Sequence, residues 1–225
     1  EIFEAPNGYA EAFFGEGFDF SALLAFGRPY RLVDPGFAIK MFPSQYATHF
    51  AITAALELHS TITGPHPITS VRITTPLMPY VDRPLPHTGL EGKFSFQYTV
   101  AAALLDGAVT VRTFSDERRF RQDMVALLPT VTLTQSEEIP GELEKMWVEV
   151  TVELQGGRRI TARCQGPKGF WGLPPLTREE HLVKIRDCLR MRLATNPTER
   201  CIALVEDLDN LPPEGVRELI AIIGC

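Results

Sequence analysis

A chain of 225 residues with 44% hydrophobic and 22% charged residues has enough apolar material for a real core, which excludes a disordered or fibrous protein. Its formal net charge of -6 argues against nucleic acid or a membrane surface as partner, because either calls for a basic stripe, so an anionic substrate has to be met by a local basic site. No apolar run reaches the ~18 residues of a membrane span, the front does not read as a signal peptide, and the cysteines Cys164, Cys188, Cys201 and Cys225 form no C-x-x-C pair, which fits a reducing, cytoplasmic setting.

Residues 1–39 read as short helical pieces, 9–14 and 20–26, punctuated by Gly15, Gly17 and Gly27. Their aromatic load, Phe3 through Phe26, needs a partner surface that the segment does not supply. The chain starts with Glu1 rather than methionine and opens straight into Phe3-Glu4-Ala5-Pro6-Asn7-Gly8, as the middle of a longer gene product would.

The stretch 40–49 is the first to look like chemistry. Pro43 and Ser44 mark a helix entry with Ser44 as N-cap. The remaining free N–H groups of that end favour an anion, and Lys40 beside it adds a full positive charge. A helix begun there sets Gln45 and His49 four residues apart on one face, giving a carboxylate-binding corner with a candidate acid/base histidine. The alternative is a capped helix with an incidental lysine.

Ala47, Phe50, Ala51, Ala54 and Leu58 give that helix a buried face up to Gly64-Pro65. A strand follows at 70–74, then a stiff, proline-rich loop over 75–92 that holds Tyr80, Asp82 and Arg83. A second helix spans about 93–105 and is ended by Asp106-Gly107. A short polar helix covers 115–128. The period then changes to two, with strands at 130–135 and 146–155 and a Gly156-Gly157 hairpin into 159–163. The remainder is helical, with capping boxes at Thr177/Glu180 and at Asn196-Pro197/Glu199. The fold class is therefore α+β: a mixed middle with antiparallel strands, flanked by helical segments.

No G-x-S-x-G elbow, P-loop or H-E-x-x-H pair is present, and the acids lack ligand spacing, so no metal is implied. His59, His66 and His87 sit at a helix end or beside prolines, and His181 on a first helical turn, positions that suit exposed side chains. Tyr80 is a loop anchor or a general acid/base, and Arg83 is either a partner of Asp82 or a clamp for a substrate carboxylate. Lys93 and Lys168 are weaker candidates for the same binding task.

Lys40-Met41-Phe42-Pro43-Ser44 through His49, Pro76-Leu77-Met78-Pro79-Tyr80-Val81-Asp82-Arg83-Pro84, Phe94-Ser95-Phe96-Gln97-Tyr98 through Gly107, and Pro175-Leu176-Thr177 resemble, in that order, the second half of the MmgE/PrpD family, which includes 2-methylcitrate dehydratase, cis-aconitate decarboxylase and iminodisuccinate epimerase. The resemblance implies a lid-like α+β domain over 40–172, with 1–39 and 173–225 as parts of an incomplete helical domain. It implies a homodimer and no cofactor. It makes Lys40 and Tyr80 cleft residues, with His49 as a further candidate for proton transfer and Ser44, Gln45 and Arg83 as candidate substrate ligands. It puts Gln45 where cis-aconitate decarboxylase has a histidine. The implied chemistry is a dehydratase-type elimination on a small di- or tricarboxylate, resembling 2-methylcitrate, with epimerisation of an acidic dicarboxylate as the alternative. Because the family's first half, with its share of the active site, has no counterpart here, a non-catalytic lid or dimerisation module is the third reading.

Overall fold

Alternating apolar residues build the sheet that the rest of the chain covers. The computed structural model describes residues 3, 5–25, 27, 29–30, 32–34, 36–62 and 67–224, and packing divides the chain into two units, 1–38 and 39–225. The first unit holds α1 (Tyr9–Phe14) and α2 (Ser21–Leu24), joined by a 3-10 turn, Gly15–Gly17. Its rings pack in a chain, Tyr9 on Phe13 at 4.8 Å and Phe14 on Phe18 at 5.0 Å, yet Phe13 and Phe14 stay exposed.

In the second unit the elements run α3 (Thr48–Thr61), β1 (Ile68–Pro76), α4 (Phe96–Asp106), α5 (Asp116–Arg119), α6 (Gln122–Leu127), β2 (Val131–Ser136), β3 (Val148–Leu154), β4 (Arg159–Cys164), α7 (Arg178–Leu189), α8 (Thr195–Glu206) and α9 (Pro213–Ile223). The strand order is β2-β1-β3-β4. The β3–β4 hairpin and the β1–β3 pair are antiparallel, with Gly156 and Gly157 both at positive φ in the hairpin turn. The β1–β2 pair is parallel, Val71 opposite Val131, and α4 lies in the connection between the two strands. The sheet is thus mixed, mostly antiparallel.

One sheet face is dry: Val71, Ile73, Val131, Val150, Val152 and Ala162 lie under α3 and α4. The two helices pack against each other, and the small side chains Ala51, Ala54 and Ala55 on α3 and Ala101, Ala102 and Ala103 on α4 are all fully buried. Such residues let backbones approach closely. Burying one large side chain such as Phe50 or Phe96 contributes about 2 to 3 kcal/mol. The opposite face is polar, with Arg163 bonded to Glu149 at 2.8 Å and Thr151 to Thr161 at 3.0 Å.

Several boundaries differ from the sequence expectation. The 75–92 segment is not wholly extended: Thr75 and Pro76 end β1, and 3-10 turns form at Pro79–Val81 and Glu91–Phe94. α4 begins at Phe96 because the Ser95 hydroxyl accepts the Tyr98 N–H at 3.0 Å as its cap, and it ends at Gly107, φ 64°. The 115–128 helix is broken into α5 and α6. The Thr177/Glu180 capping box forms in both directions. The second box does not: α8 starts earlier, at Thr195, and Glu199 is drawn to Arg186 at 2.9 Å. Helix α3 ends at Thr61, and Gly64-Pro65 and His66 lie outside the described residues.

Gly92 has no room for a side chain, since an added Cβ would lie 2.4 Å from the Tyr98 ring, whose hydroxyl is bonded to the Thr113 carbonyl at 2.5 Å. Gly92→Ala is expected to lower the unfolding free energy by about 1 to 3 kcal/mol, read as a drop in urea midpoint with an unchanged m-value.

Candidate active site

The Lys40 strip is held by backbone. Lys40 is exposed, and its Nζ donates to the Ser44 carbonyl at 3.1 Å; it has no ion pair among the described residues. Ser44, expected as N-cap, does not cap. Its hydroxyl is buried against the Thr48 hydroxyl at 2.8 Å, and α3 begins three residues later than expected, with Ala47 in the cap position. Of the N–H groups expected to be free, that of Gln45 donates to the Lys93 carbonyl at 2.9 Å and that of Ala47 to the Gln45 Oε1 at 2.7 Å. The first turn of α3 bonds back on itself, Thr48 to the Gln45 carbonyl at 3.1 Å, His49 to Tyr46 at 3.0 Å and Phe50 to Ala47 at 3.3 Å. The helix end predicted at Ser44 is therefore not formed there: α3 starts at Thr48, and its first turn satisfies its own donors.

Gln45 sits in the turn before α3. Its Oε1 accepts the Ala47 N–H at 2.7 Å, which fixes the amide orientation and leaves Nε2 without a partner among the described residues. Gln45 is half-buried, with its amide NH2 free among the described residues.

His49 is fully buried, stacked on Tyr46 at 4.9 Å and edge-on to Phe42 at 5.2 Å. Neither ring nitrogen reaches a hydrogen-bond partner, and neither does the Tyr46 hydroxyl. Burial, then the charge of Lys40, push the imidazole down to about 4, against an upward pull from the backbone of Ser44 and Phe42, with Lys184 adding the least. Burial pushes the Tyr46 phenol up to about 12. His49 is thus a neutral packing ring behind the strip, and no solvent or substrate reaches it in this arrangement.

Tyr80 and Arg83 lie on the second loop, both exposed. The Arg83 Nε donates to the Tyr80 carbonyl at 3.3 Å and its guanidinium lies 5.5 Å from the Phe94 ring centre, and it forms no ion pair among the described residues. Asp82 is not its partner: that carboxylate accepts from Gln97 Nε2 at 2.6 Å and Gln135 Nε2 at 3.3 Å, which pins the loop to α4 and β2.

The 91–95 segment fastens both strips. The Lys93 carbonyl accepts the Gln45 N–H at 2.9 Å, and two residues on the Ser95 hydroxyl donates to the Arg83 carbonyl at 2.6 Å while capping α4. Lys40, Ser44 and Gln45 on one side and Tyr80 and Arg83 on the other are therefore anchored to one turn. Gln97, Gln135 and Lys184 went unpredicted. Gln97 lies in a motif whose role showed only once its partner Asp82 was placed, and nothing in the local pattern marks Gln135 or Lys184.

The weaker candidates are occupied elsewhere. Lys93 Nζ sits over the Phe114 ring at 5.7 Å, and Lys168 is bonded to Glu180. His59 bonds the Leu104 carbonyl at 2.8 Å; His87 and His181 are exposed. Among the described residues no group of three or more His, Cys, Asp or Glu could hold a metal ion, and no helix is long and apolar enough to cross a membrane.

A conserved family pattern matches residues 42–210, that of the MmgE/PrpD C-terminal domain, and the chain belongs to this family. Among curated proteins it is similar to cis-aconitate decarboxylase of Mus musculus, 30% identical over 181 residues, and to cis-aconitate decarboxylase of Homo sapiens, 29% identical over 180 residues. Each match covers 77% of this chain and 37% of the relative, so the chain spans little more than a third of their length.

Because the folded imidazole of His49 titrates near 4 and an unfolded one near 6.5, the unfolded state binds the extra proton between those values. Stability is therefore full above about pH 6.5 and falls as pH drops toward 4, by about 2 to 3 kcal/mol at pH 4.5. Urea unfolding of wild type and His49→Phe across that range is expected to show this part of the acid loss only in wild type. At pH 7 the variant is expected to be at least as stable, since two orphaned nitrogens are gone.

Proposed function

We propose that the Lys40–Gln45 strip and the Tyr80–Arg83 loop form one wall of an active site for acid/base elimination on a small di- or tricarboxylate of the 2-methylcitrate type. The observation that carries this reading is the state of Lys40. It is exposed, its ammonium is held by a carbonyl rather than an acid, and its full charge remains for an anion.

In this reading Lys40 pairs with one substrate carboxylate and stabilises the negative charge that develops beside it when the neighbouring C–H proton leaves. Arg83, also free of a carboxylate partner among the described residues, takes a second carboxylate with its outer nitrogens. Gln45 Nε2 donates to a substrate oxygen. The Tyr80 hydroxyl hands a proton to the departing hydroxyl, which leaves as water. The base that removes the carbon-bound proton is assigned to no residue of this wall. Ser44 acts through its carbonyl, which positions Lys40, and His49 supports the strip from behind.

The name of the relatives favours a second reading, loss of CO2 from a tricarboxylate such as cis-aconitate. The same cationic wall serves it, since decarboxylation also leaves charge next to a carboxylate. Analysis of products from the protein as its source cell makes it separates the two: an alkene with one equivalent of water and no CO2 for elimination, CO2 for decarboxylation.

On that protein Lys40→Ala is expected to lower kcat/KM by about a thousandfold, and Tyr80→Phe to lower kcat by about a hundredfold with KM near wild type. Melting temperatures should stay within a few degrees, because both side chains are exposed. An unchanged kcat/KM for Lys40→Ala would sink the assignment.

A further inference from the structure

Behind the Lys40 strip a cavity of about 410 Å³ opens between Met41-Phe42, α3, the 107–110 turn and α7. Its wall is mainly apolar, formed by Met41, Phe42, Leu56, Ala108, Val109 and Val183. That volume lies within the roughly 300–1,000 Å³ of small-molecule sites. Three charged side chains border it. Lys168 is bonded to Glu180, and the Asp187 carboxylate accepts the Val111 N–H at 2.9 Å. Lys184 is half-buried on α7 and has neither an ion pair nor a hydrogen bond among the described residues.

A half-buried ammonium with no ion pair among the described residues, beside an apolar hollow, defines its complement: one negative head with an apolar body. We infer that this cavity binds a small monocarboxylate with an aliphatic tail, its carboxylate on Lys184 and its chain against Phe42, Leu56 and Val109. A polycarboxylate fits poorly, since its further charges would be placed against Leu56 and Val183 or toward the Asp187 carboxylate. Phe42 also packs edge-on to His49, so a ligand on Phe42 would lie one ring away from the residue that supports the Lys40 strip. The inference does not rest on the proposed reaction.

Calorimetric titration of the 225-residue chain with octanoate, octan-1-ol and succinate tests it. Octanoate is expected to bind one to one, octanol about tenfold more weakly and succinate not detectably. Lys184→Met should weaken octanoate about tenfold, the size of one lost charge-assisted contact, and leave octanol unchanged. Ala108→Phe, which grows a ring at the cavity wall, should weaken both, with a cooperative melt confirming that each variant folds. No heat with octanoate, equal affinity for acid and alcohol, succinate binding as tight as octanoate, or a Lys184→Met variant that keeps octanoate affinity would each overturn it.

Discussion

The candidate site depends on one short segment, residues 91–95. Through the Lys93 carbonyl it receives the Gln45 N–H, and through the Ser95 hydroxyl it holds the Arg83 carbonyl while starting α4. α4 is a rigid reference, because its face lies buried against α3 and its Ser95 cap is itself fully buried. Two loops distant in sequence thereby acquire a fixed relation to one helix end. Neutral hydrogen bonds of this kind contribute about 1 kcal/mol each, so their importance is geometric: they decide where Lys40, Gln45, Tyr80 and Arg83 stand, and the buried sheet and helices supply the stability.

Many basic side chains of the second unit are paired with acids. Examples are Arg118 on Asp106 and Asp123, Arg186 on Glu179 and Glu199, and Arg200 on Glu218. Lys40 and Arg83 have no such partner among the described residues, and neither do the exposed Arg72, Arg112, Arg158 and Arg192. What sets these two apart is their place, since both stand on the loops that the 91–95 segment ties together. Membership of the MmgE/PrpD family, as its C-terminal domain, is consistent with such a wall.

Much of the fold was legible because its signals are local. The apolar spacing of α3, the glycine stop after α4, the Gly156-Gly157 turn and the Thr177/Glu180 box each need only a few neighbouring residues, and each is present. The start of α3 was misread for a tertiary reason: the Ser44 hydroxyl has a better partner in Thr48, and a serine before an apolar run cannot reveal which acceptor it will find. The parallel β1–β2 pair was likewise invisible, since periodicity carries no strand direction. At the site, Lys40, Gln45, Tyr80 and Arg83 were named from motif and charge, whereas the burial of His49 follows from Tyr46 and Phe42 closing over it.

The proposed wall requires the two strips to act as one surface for a polycarboxylate. The most direct measurement is an NMR titration of the chain with citrate, following the backbone amides of Gln45, Tyr80 and Arg83 and the Lys40 side chain. The account predicts that all of them shift with one common Kd and that Lys40→Ala abolishes the shifts in both strips. Shifts confined to one strip, different Kd values for the two, or unchanged shifts in Lys40→Ala would contradict it.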